Sequence, residues 1–298
     1  RGYAYRFDIQ DQVCGQLKYG LPRLKKLDDN QQRILISSEQ GVGDLLMYLT
    51  LLHHYIPRWK NITIEVDVRF VDILSRSFPE IDVRGIGQVD EDSFDYQIPV
   101  GDLASLLNFN GSNFMAKPYL KTNINSDLKW AGILDRSCTK KYKVGLQWSS
   151  EKVDSARSAS YTNPSHWVNL FRNPLFSIVS INYHNIDDDI LDLDPKSQKN
   201  LFIPDLDQKN NLDETASLIK NLDFVVTPAS TPGVISAALG VPNYQFVESN
   251  SEYNLGLANQ ATPWRRPHFP SNVSFSIDRQ SKENCVDELT SYIFDIYK

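Results

Sequence analysis

The sequence is poor in sulfur. It has two methionines and three cysteines, Cys14, Cys138 and Cys285, which lie far apart with no C-x-x-C among them. That spacing excludes a disulfide framework and a cysteine-based zinc site, and it suits reduced thiols in a cytosol-like compartment. No run approaches the roughly 20 apolar residues of a membrane span, and no signal-peptide pattern is present. A cytoplasmic protein without a membrane span is expected, and the Asn-x-Ser/Thr triplets at Asn61, Asn110 and Asn272 are read as chance matches. Positive charge is also short. With 31 Lys and Arg against 37 Asp and Glu, the net charge is -6, so no nucleic-acid partner is expected. Several chemical signatures are missing too. There is no H-E-x-x-H and no Ser-His-Asp set, and "GVGD" is not the G-x-G-x-x-G of a dinucleotide site. A metal centre and a bound cofactor are therefore not expected.

What the chain has is alternation. Its 298 residues suit two domains. Short β-rich runs at Arg33–Ser38, Ile62–Val66, Phe94–Val100, Lys143–Trp148, Phe176–Ile181, Asp223–Thr227 and Asn243–Val247 are separated by helical patterns. Continuous apolar runs fit parallel strands covered on both faces, and the βαβ alternation predicts a doubly wound α/β architecture. Val42, Leu45, Leu46, Leu49 and Leu52 line one helix face, as do Leu212, Ala216 and Ile219. The polar stretch "DRSCTKKYK" places a boundary near Cys138. The expected division is 1–138, 139–280 and a final helix, 281–298, with Val286, Leu289, Ile293 and Ile296 on its stripe. The first residue is Arg1 rather than Met, which is read as a piece of a longer protein. Two such Rossmann-like halves would face one cleft with their strand C-termini.

Two junctions carry the candidate chemistry. In "ISSEQGVGDLLMYLTLL", Gly41 and Gly43 shape a turn and Asp44 stands in the first turn of a helix. The helix dipole alone favours a carboxylate there; the same placement suits a weak general base. In "LDFVVTPASTPGVISAALG", a strand runs into a loop and then a helix, with Thr231 as N-cap and Pro232 as first helical residue. Beyond that local role, the amides of Gly233 and Val234 and the hydroxyls of Ser230 and Thr231 are suited to a diphosphate. Arg157 and the pair Arg265–Arg266 are candidate cations for a phosphate leaving group, against the ordinary reading of solvated loop arginines. The adjacent His53 and His54 point about 100° apart and are read as surface residues. His184, just past a strand end, is held in reserve.

These pieces fall in a familiar order. "SSEQGVGDLLMYLTLL", "FDYQIPVGDLASLL", "KPYLKTN", "KVGLQWSS" with "RSASY", "NLDETASLIKNLDFVVTPASTPGVISAALGVP" and "PWRRPHFPSNVSFSIDRQ" are collinear from about Arg33 onward. Together they resemble the glycosyltransferase-like domain that follows tetratricopeptide repeats in bacterial proteins, a relative of lipopolysaccharide heptosyltransferases and, more distantly, of protein O-GlcNAc transferases. The resemblance implies a GT-B fold, acceptor on the first domain, nucleotide-sugar donor on the second, and a final helix returning to the first. It further implies inverting, metal-independent transfer to a glycan or protein acceptor, an upstream repeat domain, and Asp44 as catalytic base. Ser230, Thr231 and Gly233 would hold the diphosphate with Arg157, while Asn182, Tyr183 and Glu214 would contact nucleoside or sugar. The chain departs from the pattern at Ala229 and Val234, where relatives carry Asp and His, and at Asn182–Tyr183, where many carry Gln-Lys. Hence the rival reading, a GT-B-shaped binding module without turnover. The carboxylate and histidine set of a nucleotide-sugar 2-epimerase is not seen.

Overall fold

The computed structural model describes residues 17–26, 32–39, 41–54, 56, 59–106, 118–150, 158–248, 272–277 and 282–298. The chain divides into two compact units, Arg1–Lys121 and Thr122–Lys298.

The first unit runs β1 (Ile34–Ser37), α1 (Val42–Leu49), β2 (Ile62–Val66), α2 (Val71–Ser77), β3 (Asp82–Gly85), β4 (Tyr96–Pro99) and α3 (Leu103–Leu106). Its four strands are parallel in the order β3-β2-β1-β4. Every residue of β1 and β2 is buried, as expected of strands covered on both faces. One of them is Glu65, whose burial is tolerable because it is fully paired. It accepts hydrogen bonds from Tyr19 Oη (2.5 Å) and the Gly87 amide (3.0 Å) and pairs with Lys18. Burial and this carboxylate together push the Tyr19 phenol well above its usual range.

The second unit runs α4 (Ile124–Ser137), β5 (Tyr142–Leu146), α5 (Val168–Arg172), β6 (Phe176–Ser180), α6 (Asp187–Leu191), α7 (Pro195–Lys199) and β7 (Leu201–Phe202). It continues with α8 (Leu212–Lys220), β8 (Phe224–Pro228), α9 (Thr231–Leu239), β9 (Asn243–Glu248), β10 (Asn272–Ile277) and α10 (Lys282–Ile296). Its six strands are parallel in the order β10-β9-β8-β5-β6-β7. Both sheets are wound alike: the first strand is central, the next two lie to one side and the fourth lies on the other. Each unit therefore has a topological switch point, between β1 and β4 in one and between β5 and β8 in the other. At such points loops diverge and leave a crevice at the strand C-termini.

Two expected boundaries move. The division falls after Lys121, not at Cys138, because α4 is built into the second unit. Trp130 and Leu134 are buried, and Glu214 of α8 accepts from Ser126 Oγ (2.6 Å), Lys129 Nζ (2.8 Å) and Trp130 Nε1 (2.8 Å). The apolar stripe of the final helix is built into the core of the second unit. Val286, Leu289 and Ile293 join Val144, Trp167, Phe171 and Phe224 in one core. Tyr297 stacks on Phe224 with ring centroids 4.3 Å apart, which fixes the end of the chain there. Among the described residues no helix is long and apolar enough to cross a membrane.

Candidate functional site

In the first unit the chain leaves β1, turns and enters α1. Gly41 is the N-cap, with extended backbone (φ -84°, ψ 163°), and Gly43 is the second helical residue. Asp44 is the third, and its Oδ2 accepts the Gly41 amide proton at 3.1 Å. A Cβ at Gly41 would lie 3.1 Å from that same oxygen, so the glycine lets the turn close on the carboxylate. The structure thus brings Gly41 and Asp44 together. The turn is tied across the switch point as well, where Glu39 Oε1 accepts the Gly101 amide, just beyond β4, at 2.7 Å.

In the second unit the candidate place is the β8–α9 junction, beside the switch point between β5 and β8. Ser230, not Thr231, is the N-cap (φ -147°, ψ 167°), so Thr231 and Pro232 are the first two helical residues. Serine is among the strongest N-capping residues, yet this one makes no side-chain bond to its helix. Its hydroxyl donates instead to Oε1 of Gln147, 2.6 Å away at the end of β5. Gln147 is completely buried, and its Nε2 donates to the Ser149 carbonyl at 2.9 Å. Gly233 packs against the sheet: a Cβ there would meet Thr227 Oγ1 at 2.5 Å and Asn243 Nδ2 at 2.9 Å.

The end of β6 lies on the other side of β5. Asn182 is buried, and its side chain laces the two strand ends together. Nδ2 donates to the Leu146 carbonyl (3.3 Å) and Ser180 Oγ (3.2 Å), and Oδ1 accepts the Trp148 amide (3.3 Å). Tyr183 Oη pairs with Ser150 Oγ. His184 Nε2 stands 3.1 Å from Ser149 Oγ and 3.7 Å from Asp189 Oδ2, while Nδ1 is buried without a partner. Serine and aspartate meet the same ring nitrogen, whereas a hydrolytic triad uses both nitrogens. Asp189 also accepts from Trp148 Nε1 at 2.7 Å.

Glu214 sits at the α4–α8 contact. Burial pulls its pKa up, but the hydrogen bonds from Lys129, Ser126 and Trp130 outweigh it and hold the carboxyl below its ordinary value. Arg157, Arg265 and Arg266 lie outside the described residues. Among the described residues no three His, Cys, Asp or Glu gather as a metal site. Sequence reasoning passed over Glu39 and Gln147. The signal for Gln147 was a lone amide in the apolar run "KVGLQW"; that for Glu39 was an acid directly before the glycine turn.

No family model matches the chain. Protein FlbA of Caulobacter vibrioides is 23% identical over 282 residues, which is 88% of this chain and 47% of FlbA, so the chain spans about half the length of this curated relative. Among solved structures, E. coli ADP-heptose LPS heptosyltransferase II superposes with a TM-score of 0.56 at 15% identity, over 88% of this chain and 99% of that one. A family 9 glycosyl transferase from Veillonella parvula gives 0.58 at 10% identity, over 90% and 100%. The iron-containing dodecameric glycosyltransferase TibC of enterotoxigenic E. coli gives 0.55 at 12%, over 91% and 78%. The chain shares its fold with these glycosyltransferases.

Proposed function

We propose that this chain transfers a sugar of hexose or heptose type from a nucleotide-sugar donor to an acceptor hydroxyl, with inversion and without a metal. The observation that carries the reading is the junction at the second switch point. A helix N-terminus lacking a side-chain cap follows a central parallel strand, in a fold shared with heptosyltransferases. Thr231 and Gly233 bind the diphosphate there, where the helix dipole favours the charge that grows as the leaving group departs. Arg157 adds a cation, and Asn182, Tyr183 and Glu214 line the nucleoside side. Asp44 takes the proton of the acceptor, a glycan or protein hydroxyl. The Gly41 amide holds this carboxylate at the turn, and a carboxylate is a weak base suited to a proton that leaves late. The same reading sets the domain downstream of tetratricopeptide repeats in a cytoplasmic protein.

A binding module without turnover is the second reading, and two observations favour it. Ala229 and Val234 give the donor loop no charge, and the polar atoms of Asn182 already have internal partners. The first experiment is a thermal-shift screen of nucleoside diphosphates and their sugars, without and with magnesium. A ligand at 100 times its Kd stabilises by roughly 2.7 kcal/mol. Asp44→Asn then separates the readings, because in an enzyme donor binding stays and transfer disappears. A screen in which no nucleotide shifts the transition overturns the donor site.

A further inference from the structure

The orientation of the Gln147 amide is fixed by its neighbours. A backbone carbonyl can only accept, so the end of the amide facing the Ser149 carbonyl must be the NH2, which leaves Oε1 facing Ser230. Oε1 can only accept, so the Ser230 hydroxyl must be the donor. A serine has one hydroxyl proton, and this one is engaged. It cannot also be given to a phosphate oxygen, and its position across the sheet holds the oxygen off α9. Were Ser230 free, its oxygen would take an amide of the first turn. The cap normally accepts from the second or third helical residue. Pro232 has no amide proton, so Gly233 would be the one capped.

A second observation at this loop points to a ligand. Gln245, on the neighbouring strand β9, is 3% exposed and gives its Nε2 to the Pro228 carbonyl at 3.2 Å, two residues before Ser230. Its Oε1 is buried and has no partner. The buried glutamine oxygens of Gln97 and Gln208 are orphaned too, but the one on Gln245 belongs to the side chain that holds the donor loop, where a sugar or ribose hydroxyl is the kind of donor it lacks.

We propose that Gln147 is a positioning residue of the donor site: it draws the Ser230 hydroxyl away from α9 and so reserves the amides of Thr231 and Gly233 for an anionic ligand, a diphosphate. The inference rests on the donor reading given above. Gln147 touches no ligand itself. It acts across the switch point by preventing the helix from capping itself.

The test is a double-mutant cycle read by calorimetric binding of UDP, ADP and inorganic pyrophosphate to wild type, Gln147→Leu, Ser230→Ala and the double variant. Releasing the hydroxyl in Gln147→Leu lets it compete for the Gly233 amide, and affinity falls roughly tenfold. Removing that hydroxyl as well should restore it, so the double variant binds more tightly than Gln147→Leu alone. A residue needed only for packing gives no such rescue. If Gln147→Leu does not fold, Gln147→Met, which also removes the acceptor for Ser230, takes its place in the cycle with the same expected loss and rescue. Wild-type binding with no loss in Gln147→Leu, or a double variant as weak as Gln147→Leu, overturns the proposal while leaving the donor site intact. Failure of wild type to bind any probe overturns the donor reading and the proposal with it.

Discussion

Glu39 and Gly101 meet across the first switch point, where a carboxylate oxygen accepts a backbone amide at 2.7 Å. Glu39 precedes the glycine turn and Gly101 follows β4, so this one bond joins the two loops that diverge from the centre of the first sheet. A hydrogen bond to a charged group contributes about 1.5–3 kcal/mol. Glu39→Ala should lower the urea-unfolding free energy by about that amount. Glu39→Gln, which keeps an acceptor without the charge, should lose roughly half as much. Transfer by Glu39→Ala should fall more steeply than its donor affinity, since the loosened turn carries Asp44.

Glu214 is expected to matter for stability. Removing it leaves the Trp130 indole N–H buried with no acceptor, which costs about 1–3 kcal/mol. Glu214→Ala should lower the thermal midpoint by several degrees. The pH dependence has a definite sign. The folded carboxyl lies below its ordinary value of about 4.3, so its contribution is complete above that pH and is lost as pH falls through the lower, folded value. Wild type and Glu214→Ala should therefore converge in acid, and equal destabilisation at pH 7 and pH 3 would contradict the pairing.

Gly233→Ala should destabilise by about 1–3 kcal/mol, because the new methyl lands on Thr227 and Asn243 in a buried layer that cannot give. Donor affinity should fall with it, as the first turn of α9 is pushed off the sheet. A variant of wild-type stability would show that α9 rises without cost.

Cys138 is buried, and burial pushes its thiol up to about 11. The thiolate is the reactive form. Labelling of native protein with a thiol reagent at pH 8 should leave Cys138 unmodified while Cys285, partly exposed, reacts. Addition of denaturant should expose Cys138. Rapid native labelling of Cys138 would mean that the α4–β5 segment opens.

The central strands were legible because they are short runs dominated by apolar and β-branched residues, and β2 begins and ends where its pattern does. The edges were not legible. Asp82–Gly85 has one buried position and Leu201–Phe202 has none, so no apolar run marks β3 or β7. The turn bearing Asp44 and the β8–α9 junction stood out through glycine and proline chemistry. Their cross-links did not, because which loop meets Glu39 or Ser230 is set by strand order, and strand order is not written in any local spacing. The domain boundary misled for a related reason. The polar run at Asp135–Lys143 is only the link from α4 to β5, and the affinity of α4 for α8 depends on Glu214, far along the chain.

Every ladder in both sheets is parallel, and the helix that completes the second core is α10. On a ribosome, this has a temporal consequence. Val144 and its neighbours are made early, but the apolar core they belong to stays incomplete until Val286, Leu289 and Ile293 have been added. The second unit must therefore wait, half-built and sticky, through nearly its whole synthesis, a natural client for chaperones that shield nascent chains.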